Sequence, residues 1–252
     1  MAVSDAVRIV SVGAPLTSGG HPDAAAIASG LGAAGIPLGA HIVIDDDEGA
    51  LEQALTADGV LAVVGGAGGS AGDSVRRVLA RITGARLRLS ERMRARLEAH
   101  YARLDRRVPR SAERLALLPQ GAAVPEGEDP VWTLEAARSV WVVFLRGRVA
   151  GAVPSVLVPI AEERLGTRGG GTVRTFKTVG VSAEDIEDRL VDRLGARDVT
   201  LTTLPGDGEV WVRLRARGRT PAAAATRLAE VEGTVAEQLG EDRKSTRLNS
   251  SH

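Results

Sequence analysis

The chain has 252 residues, 44% hydrophobic and 25% charged, a composition that excludes wholesale disorder and suits one large or two modest globular domains. Lys+Arg and Asp+Glu balance at 32 each, so no net positive field draws nucleic acid or anionic lipid from a distance. Cysteine is absent, which removes disulfides, thiolate metal sites and a cysteine nucleophile, and aromatic residues at 2% leave few rings on which bases could stack. The start, MAVSDAVRIVSVG, lacks the basic segment, long apolar run and small-residue cleavage site of a leader. No stretch reaches the roughly 18 apolar residues of a membrane span. These features predict a cytoplasmic protein with neither a membrane nor a nucleic-acid partner.

In chain order, Val7 to Val12 is a β-branched run ending at Gly13, the pattern of a buried parallel strand feeding a loop. Asp23 to Ala34 follows with helix formers, Ile27 and Leu31 on one face, and a C-terminal glycine signal at Gly35. Ala40 to Ile44 is a second strand. The acidic run Asp45 to Glu48 then favours a helix N-terminus, with Leu51, Ala54 and Leu55 as its apolar face. Val60 to Val64 is a third strand running into GGAGGSAGDS, and helices are predicted over Ser74 to Thr83 and Glu91 to Arg107. Strands alternating with helices at this spacing imply a parallel sheet covered on both faces.

Val140 to Phe144 is a further strand, whereas Val153 to Ile160, punctuated by Pro154 and Pro159, reads as an edge strand or the start of a helix. The cluster Gly169 to Gly171 reads as a linker, which places a domain boundary near Leu165. Beyond it come a strand over Thr172 to Val181, an N-cap at Ser182 before a helix Asp185 to Leu194, and strands Val199 to Thr203 and Glu209 to Ala216 around a Pro205–Gly208 turn. Thr220-Pro221 caps a helix to about Leu239. The order β-α-β-β-α suits a ferredoxin-like sandwich lacking its last strand. Residues 242–252, DRKSTRLNSSH, read codon by codon as a translated sequencing-library adapter, so they are expected not to be native and the natural chain to continue differently.

In an open parallel sheet ligands bind beyond the carboxyl ends of the strands, which directs attention to the loops after Val12 and Val64. Both are glycine-rich, and glycines let backbone approach a phosphate while a following helix offers free N–H donors. Gly13, Gly19 and Asp23 belong to the first loop, and Gly65, Gly66, Gly68, Ser70 and Asp73 to the second. Asp73 and Asp23 equally suit residues placed at helix starts for the dipole or as caps. The tetrad Asp45–Glu48 reads as a solvated helix start, and His21, His41 and His100 lack metal-ligand spacing. The arginines between Arg86 and Arg110 alternate with Leu87, Leu89, Met93 and Leu97, which reads as the wet side of an amphipathic element.

Here the chain resembles the CinA (competence/damage-inducible protein A) family, whose MoaB/Mog-type domain carries G-[TD]-E-L-x-x-G-x-x-x-D-[TS]-N in its first loop and G-G-L-G-P-T-x-D-D in its second. Gly13, Leu16, Gly19 and Asp23 match the first pattern, while Ala14, Pro15 and Ala25 depart from it. Gly65, Gly66, Gly68 and Asp73 match the second and Ser70 stands for Thr, but Gly69 replaces Pro and Gly72 replaces the first Asp. Residues 116–122 are similar to the family's A-x-x-P-x-G-A stretch, and Arg174-Thr175-Phe176 to Ser182 to its R-T-F-x-x-x-G-[IV]-[ST]. The family's G-T-A-P-G segment has no counterpart between Pro125 and Val140, and its L-P-G-V-P loop is at best residues 145–149.

The resemblance implies a MoaB/Mog-like three-layer α/β sandwich with a mostly parallel sheet over residues 1–165, followed by a small ferredoxin-like α+β domain over 166–241. It implies a pocket for a small-molecule nucleotide or pterin and a homo-oligomer. Through Asp73 as catalytic and metal-ligating residue, it further implies hydrolysis of ADP-ribose-like pyrophosphates with Mg, Mn or Co. Because Gly72 stands where an acid is expected, binding with weak or lost hydrolysis is the favoured expectation, and a non-catalytic scaffold or oligomerisation module is the alternative. A nicotinamide-nucleotide amidase domain, frequent at the C-terminus of such proteins, falls outside the sequence.

Overall fold

The structure, a computed structural model, describes residues 6–13, 22–45, 47–65, 70–127, 129–145, 149–165, 171–194, 199–206, 208–218, 220–239 and 243–244. At 70–73, 111–112, 171, 191–194, 217, 221 and 243–244 it describes the backbone alone. The chain divides into two units, one formed by residues 1–31 and 37–166, the other by 32–36 and 167–252.

The first unit runs β1 (Val7–Val12), α1 (Pro22–Ala33), β2 (Leu38–Ile44), α2 (Glu48–Leu55), β3 (Gly59–Val64), α3 (Ser70–Thr83), β4 (Leu87–Leu89), α4 (Glu91–Arg103), α5 (Arg110–Glu113), β5 (Leu117–Pro119), β6 (Val131–Ala136), β7 (Ser139–Phe144) and α6 (Val158–Leu165). Its main sheet has the order β2-β1-β3-β7-β6, with the first four strands parallel and β6 antiparallel at the edge. The sequences VRIVSV, GVLAVV and SVWVVF are nearly unbroken apolar runs because β1, β3 and β7 are covered on both faces.

On one face, Val10, Val12, Leu61, Val63, Trp141 and Val143 share a core with Leu51 and Leu55 of α2, Val75 and Leu79 of α3, and Met93 and Leu97 of α4. On the other, the alternate strand residues Ile9, Ala62, Val142 and Phe144 are buried, as are Ile27 and Leu31 of α1 and Ala161 of α6. Helix α1 lies so close to the turn before α6 that a Cβ on Gly30 would stand 2.4 Å from Cγ1 of Val153. The three layers are therefore fixed by strand alternation, as expected of a doubly covered sheet. Polar atoms within them are paired: the Trp141 indole donates to the Leu55 carbonyl at 2.9 Å, and the Ser139 hydroxyl to that of Ala57 at 3.1 Å. The acidic run does start a helix: Asp47 caps α2, its Oδ1 accepting from the N–H groups of Gly49 and Ala50 at 2.8 and 2.9 Å.

Three details depart from the sequence reading, and one alternative that it left open, strand or helix from Val153, is decided. Leu87 and Leu89 do not share an amphipathic element with Met93 and Leu97; they form β4, which pairs antiparallel with β5, and Ser90 separates the two by capping α4. Helix α4 ends at Arg103, short of Arg107, and Asp105 takes a left-handed φ of 52° just beyond it. The stretch from Val153 is helical, opening with a wide turn over Val153–Leu157 in which the N–H of Val158 bonds the Val153 carbonyl, before α6. That extra residue in the turn carries the helix past Pro159, which has no N–H to donate. Strand β6 was not foreseen at all.

The second unit runs β8 (Gly171–Thr178), α7 (Ala183–Leu194), β9 (Val199–Pro205), β10 (Val210–Arg217), α8 (Pro221–Leu239) and β11 (Arg243–Lys244). Its sheet order is β11-β8-β10-β9, with β10 inserted antiparallel between β8 and β9, the ferredoxin-like split β-α-β arrangement. Both predicted caps are formed: Ser182 Oγ accepts from the N–H of Asp185 and Thr220 Oγ1 from that of Ala223, each at 3.1 Å. Phe176, Val212 and Leu214 pack against Ile186 and Leu190 of α7 and Leu228, Val231 and Val235 of α8. The position expected to lack a strand holds a two-residue one, Arg243–Lys244, paired with β8.

Candidate functional site

After β1 the chain passes through α1 to β2 on one side of β1, then through α2 to β3 on its other side. The direction of winding reverses between β1 and β3, and such a reversal opens a crevice beyond the carboxyl ends of those two strands. The two loops singled out by sequence leave from these neighbouring ends, since Ser11 pairs with Val64. The structure thus brings the starts of both glycine-rich segments together.

Gly65 faces Val12 closely: a Cβ on it would lie 3.0 Å from both Cβ and the carbonyl oxygen of Val12. Gly13 has a left-handed φ of 64°. Their N–H groups extend the sheet: that of Gly13 donates to the Ile44 carbonyl at 2.9 Å and that of Gly65 to the Phe144 carbonyl at 3.4 Å. These two glycines accordingly shape the crevice floor, and donors for a ligand must come from further along the loops.

Asp23 is the second residue of α1, after Pro22, and is buried at 6% exposure. It is therefore a first-turn residue and not the cap itself, in the position where the helix dipole favours a carboxylate. Ser70 is the first residue of α3 and Asp73 lies in the first turn of the same helix. Gly19, Gly66 and Gly68 lie outside the described residues, as do the side chains of Ser70 and Asp73. Each helix is the next element in the chain after its strand, α1 after β1 and α3 after β3.

Sequence reasoning missed Arg76. It is 5% exposed on α3, its guanidinium donates to the Arg114 carbonyl, and it lines a cleft with Gly65, Val75, Met93, Trp132 and Leu145. The cleft encloses only about 10 Å³, room for one water. A buried cation one helical turn beyond a glycine-rich loop was visible as GDSVRR, but nothing in the pattern told Arg76 from Arg77. Ser11, fully buried on β1, bonds its hydroxyl to His41 Nε2 at 2.9 Å; without access to solvent this pair satisfies a buried hydroxyl and is not a nucleophile. Among the described residues no three His, Asp or Glu side chains converge on a metal position. A cation shared between one or two carboxylates and a ligand's own phosphates needs no such cluster.

Comparison with known proteins gives this arrangement its class. Residues 8–167 match the family of the probable molybdopterin binding domain, and residues 173–242 match the damage-inducible protein CinA KH domain. The chain belongs to the CinA family, with a MoaB/Mog-like domain followed by the smaller one. It is 31% identical over 252 residues to a CinA-like protein of Geobacter sulfurreducens, covering 93% of this chain and 60% of that protein. It is 29% identical over 249 residues to a CinA-like protein of Desulfovibrio desulfuricans, covering 93% and 57%. It also resembles a solved structure described as the protein CinA with unknown function from Thermoplasma acidophilum, at 20% identity and a TM-score of 0.47, over 64% of this chain and 99% of that one. The chain spans about three fifths of the length of the curated relatives it matches.

Proposed function

We propose that the crevice between β1 and β3 binds a phosphate-bearing nucleotide or pterin, and that hydrolysis of a pyrophosphate there is weak or lost. The supporting observation is the meeting of two glycine-rich segments at the winding reversal, each leading into a helix whose first turn carries a carboxylate, Asp23 in α1 and Asp73 in α3. Backbone N–H groups at the two helix starts would hold the anionic part of the ligand. Asp73 would hold a divalent cation, Mg, Mn or Co, jointly with the ligand's phosphates. The cation's contribution is to neutralise phosphate charge. Gly72, standing where the family pattern carries an acid, leaves one carboxylate fewer for that task.

The test is a thermal-shift and hydrolysis screen of the chain with ADP-ribose, FAD, NAD and a pterin, each with and without the three metals, beside Asp73→Ala. The expected result is stabilisation by one ligand without turnover. At a hundredfold excess over Kd it amounts to about 2.7 kcal/mol, or a rise in Tm of roughly 5–10 °C, and shrinks in Asp73→Ala. Metal-dependent release of AMP that disappears in Asp73→Ala would replace this reading with a working pyrophosphatase. Absence of both shift and turnover would leave a non-catalytic scaffold or oligomerisation module.

A further inference from the structure

Helix α4 has a third side besides the one it buries and the one on which its charges pair. Met93 and Leu97 enter the core, and Arg94 is held between Glu91 at 2.6 Å and Glu98 at 3.6 Å. Arg92, Ala95, Arg96, Ala99 and Arg103 fall between these two sides, within roughly 100° of arc around the helix axis. They line a groove of about 440 Å³ that Gly127, in the loop ahead of β6, borders. Small-molecule sites run from roughly 300 to 1,000 Å³, so the groove is of that size. Gly127 takes a φ of 124°, a conformation that keeps a side chain off this border.

The groove combines methyl groups with cations. Ala95 and Ala99 supply the methyls, while Arg92 and Arg96, one turn apart, stand about 6 Å from one another along the helix axis. Arg96 is anchored: its Nη1 donates to the Asp129 carbonyl at 3.0 Å and its Nη2 to the Pro125 carbonyl at 2.7 Å. These neutral acceptors fix the guanidinium without cancelling its charge, and a guanidinium has further N–H donors to give. Two carboxylates approach the pair. Glu126 lies 3.7 Å from Arg92 and is 98% exposed, the setting of a loose surface ion pair. Asp129 acts on Arg96 less strongly than do burial and the neighbouring Arg92 charge, which together push its guanidinium below the ordinary range. Positive charge at Arg96 is therefore only partly offset by its surroundings.

We propose that the α4 groove binds a small molecule bearing two or more phosphate groups, its phosphates on Arg92 and Arg96 and its uncharged part over Ala95 and Ala99. Guanidinium forks take phosphate oxygens two at a time, and a side chain already fixed, as Arg96 is, loses less conformational freedom on binding. Two arginines one turn apart offer two such forks, which a ligand with two phosphates fills and a monophosphate does not. The methyl groups between the arginines admit a flat uncharged group without a polar atom left unpaired. The groove shares no residue with the crevice between β1 and β3, so this site stands whether or not the crevice binds a ligand.

Isothermal titration calorimetry of the full chain, with EDTA present, compares pyrophosphate, ADP, AMP, adenosine and citrate. The expected result is saturable binding of pyrophosphate and ADP, AMP weaker by about tenfold, and citrate and adenosine weaker still. Arg92→Gln should raise the Kd for ADP about tenfold, with Arg92→Lys between it and the parent chain, and Ala99→Glu, which sets a carboxylate in the groove, should raise it further. Both positions are exposed, so ligand-free melts of these variants should match the parent chain. Asp73→Ala should leave the affinity for ADP as it is. No saturable binding of pyrophosphate or ADP, citrate bound as tightly as pyrophosphate, a Kd unmoved by Arg92→Gln and Ala99→Glu, or binding lost in Asp73→Ala would each overturn the proposal, the last by moving the ligand to the crevice.

Discussion

Two glycines illustrate how the same residue type serves opposite ends. Gly65 sits where a methyl group would meet Val12 at 3.0 Å, and its neighbours there are strand backbone and a Cβ with no freedom to retreat. Gly65→Ala is therefore expected to destabilise by about 1–3 kcal/mol, lowering Tm by roughly 2–10 °C in a thermal melt. Gly233 lies exposed within α8 with nothing within 4 Å of its would-be Cβ. Gly233→Ala should raise stability by about 0.5–1 kcal/mol, through helix propensity alone. Sequence located both glycines but gave no sign of the difference, because the approach of Gly65 to Val12 depends on strands joined only by folding. Asp23 shows the same limit: its place at a helix start was legible, while its burial on the first turn behind Pro22 was not.

Helices α2 and α3 are tied by a surface network in which Glu48 accepts from Arg77 and Arg81, and Arg81 also reaches Glu52 at 2.8 Å. The bonds from Arg77 and then Arg81 hold the Glu48 carboxyl below its ordinary value of 4.5, against a smaller opposing effect of desolvation. A folded-state pKa below the unfolded one means that the contribution is present above the unfolded value and lost as pH falls through the folded one. Melts of Glu48→Gln and the parent chain should therefore differ near pH 7 and converge as pH falls below 4.5 and through the folded-state value. The pairs are exposed, so the difference should also shrink in high salt.

The legibility of whole elements followed their physical isolation. Strands β1, β3 and β7 and the capped helices α7 and α8 carry local signals strong enough to be read unaided. Strand β6 carries polar Thr133 and Glu135 and takes its identity from pairing with β7, and the helix through Pro154 and Pro159 survives only through its wide turn. Such elements are specified by partners distant in sequence, which a local pattern does not contain.

Across the whole molecule the formal net charge is zero at pH 7, while the sheet and helices of the second unit carry opposite signs. Little net repulsion then separates one copy from another, so light scattering should show the strongest attraction near pH 7 and weakening to either side. The parallel sheet has a further consequence, for synthesis. The Ser139 hydroxyl and the Ala57 carbonyl that it bonds are 82 residues apart, and the pairing of β7 with β3 spans a similar length. A nascent chain leaving the ribosome must hold β2, β1 and β3 with an apolar strand edge unfilled until β7 emerges, and then insert that strand before β6 closes the sheet. A sheet of β2, β1 and β3 formed before β7 is made would leave Val60–Val64 as an open apolar edge, so chains halted before β7 are expected to aggregate more readily than chains that include it.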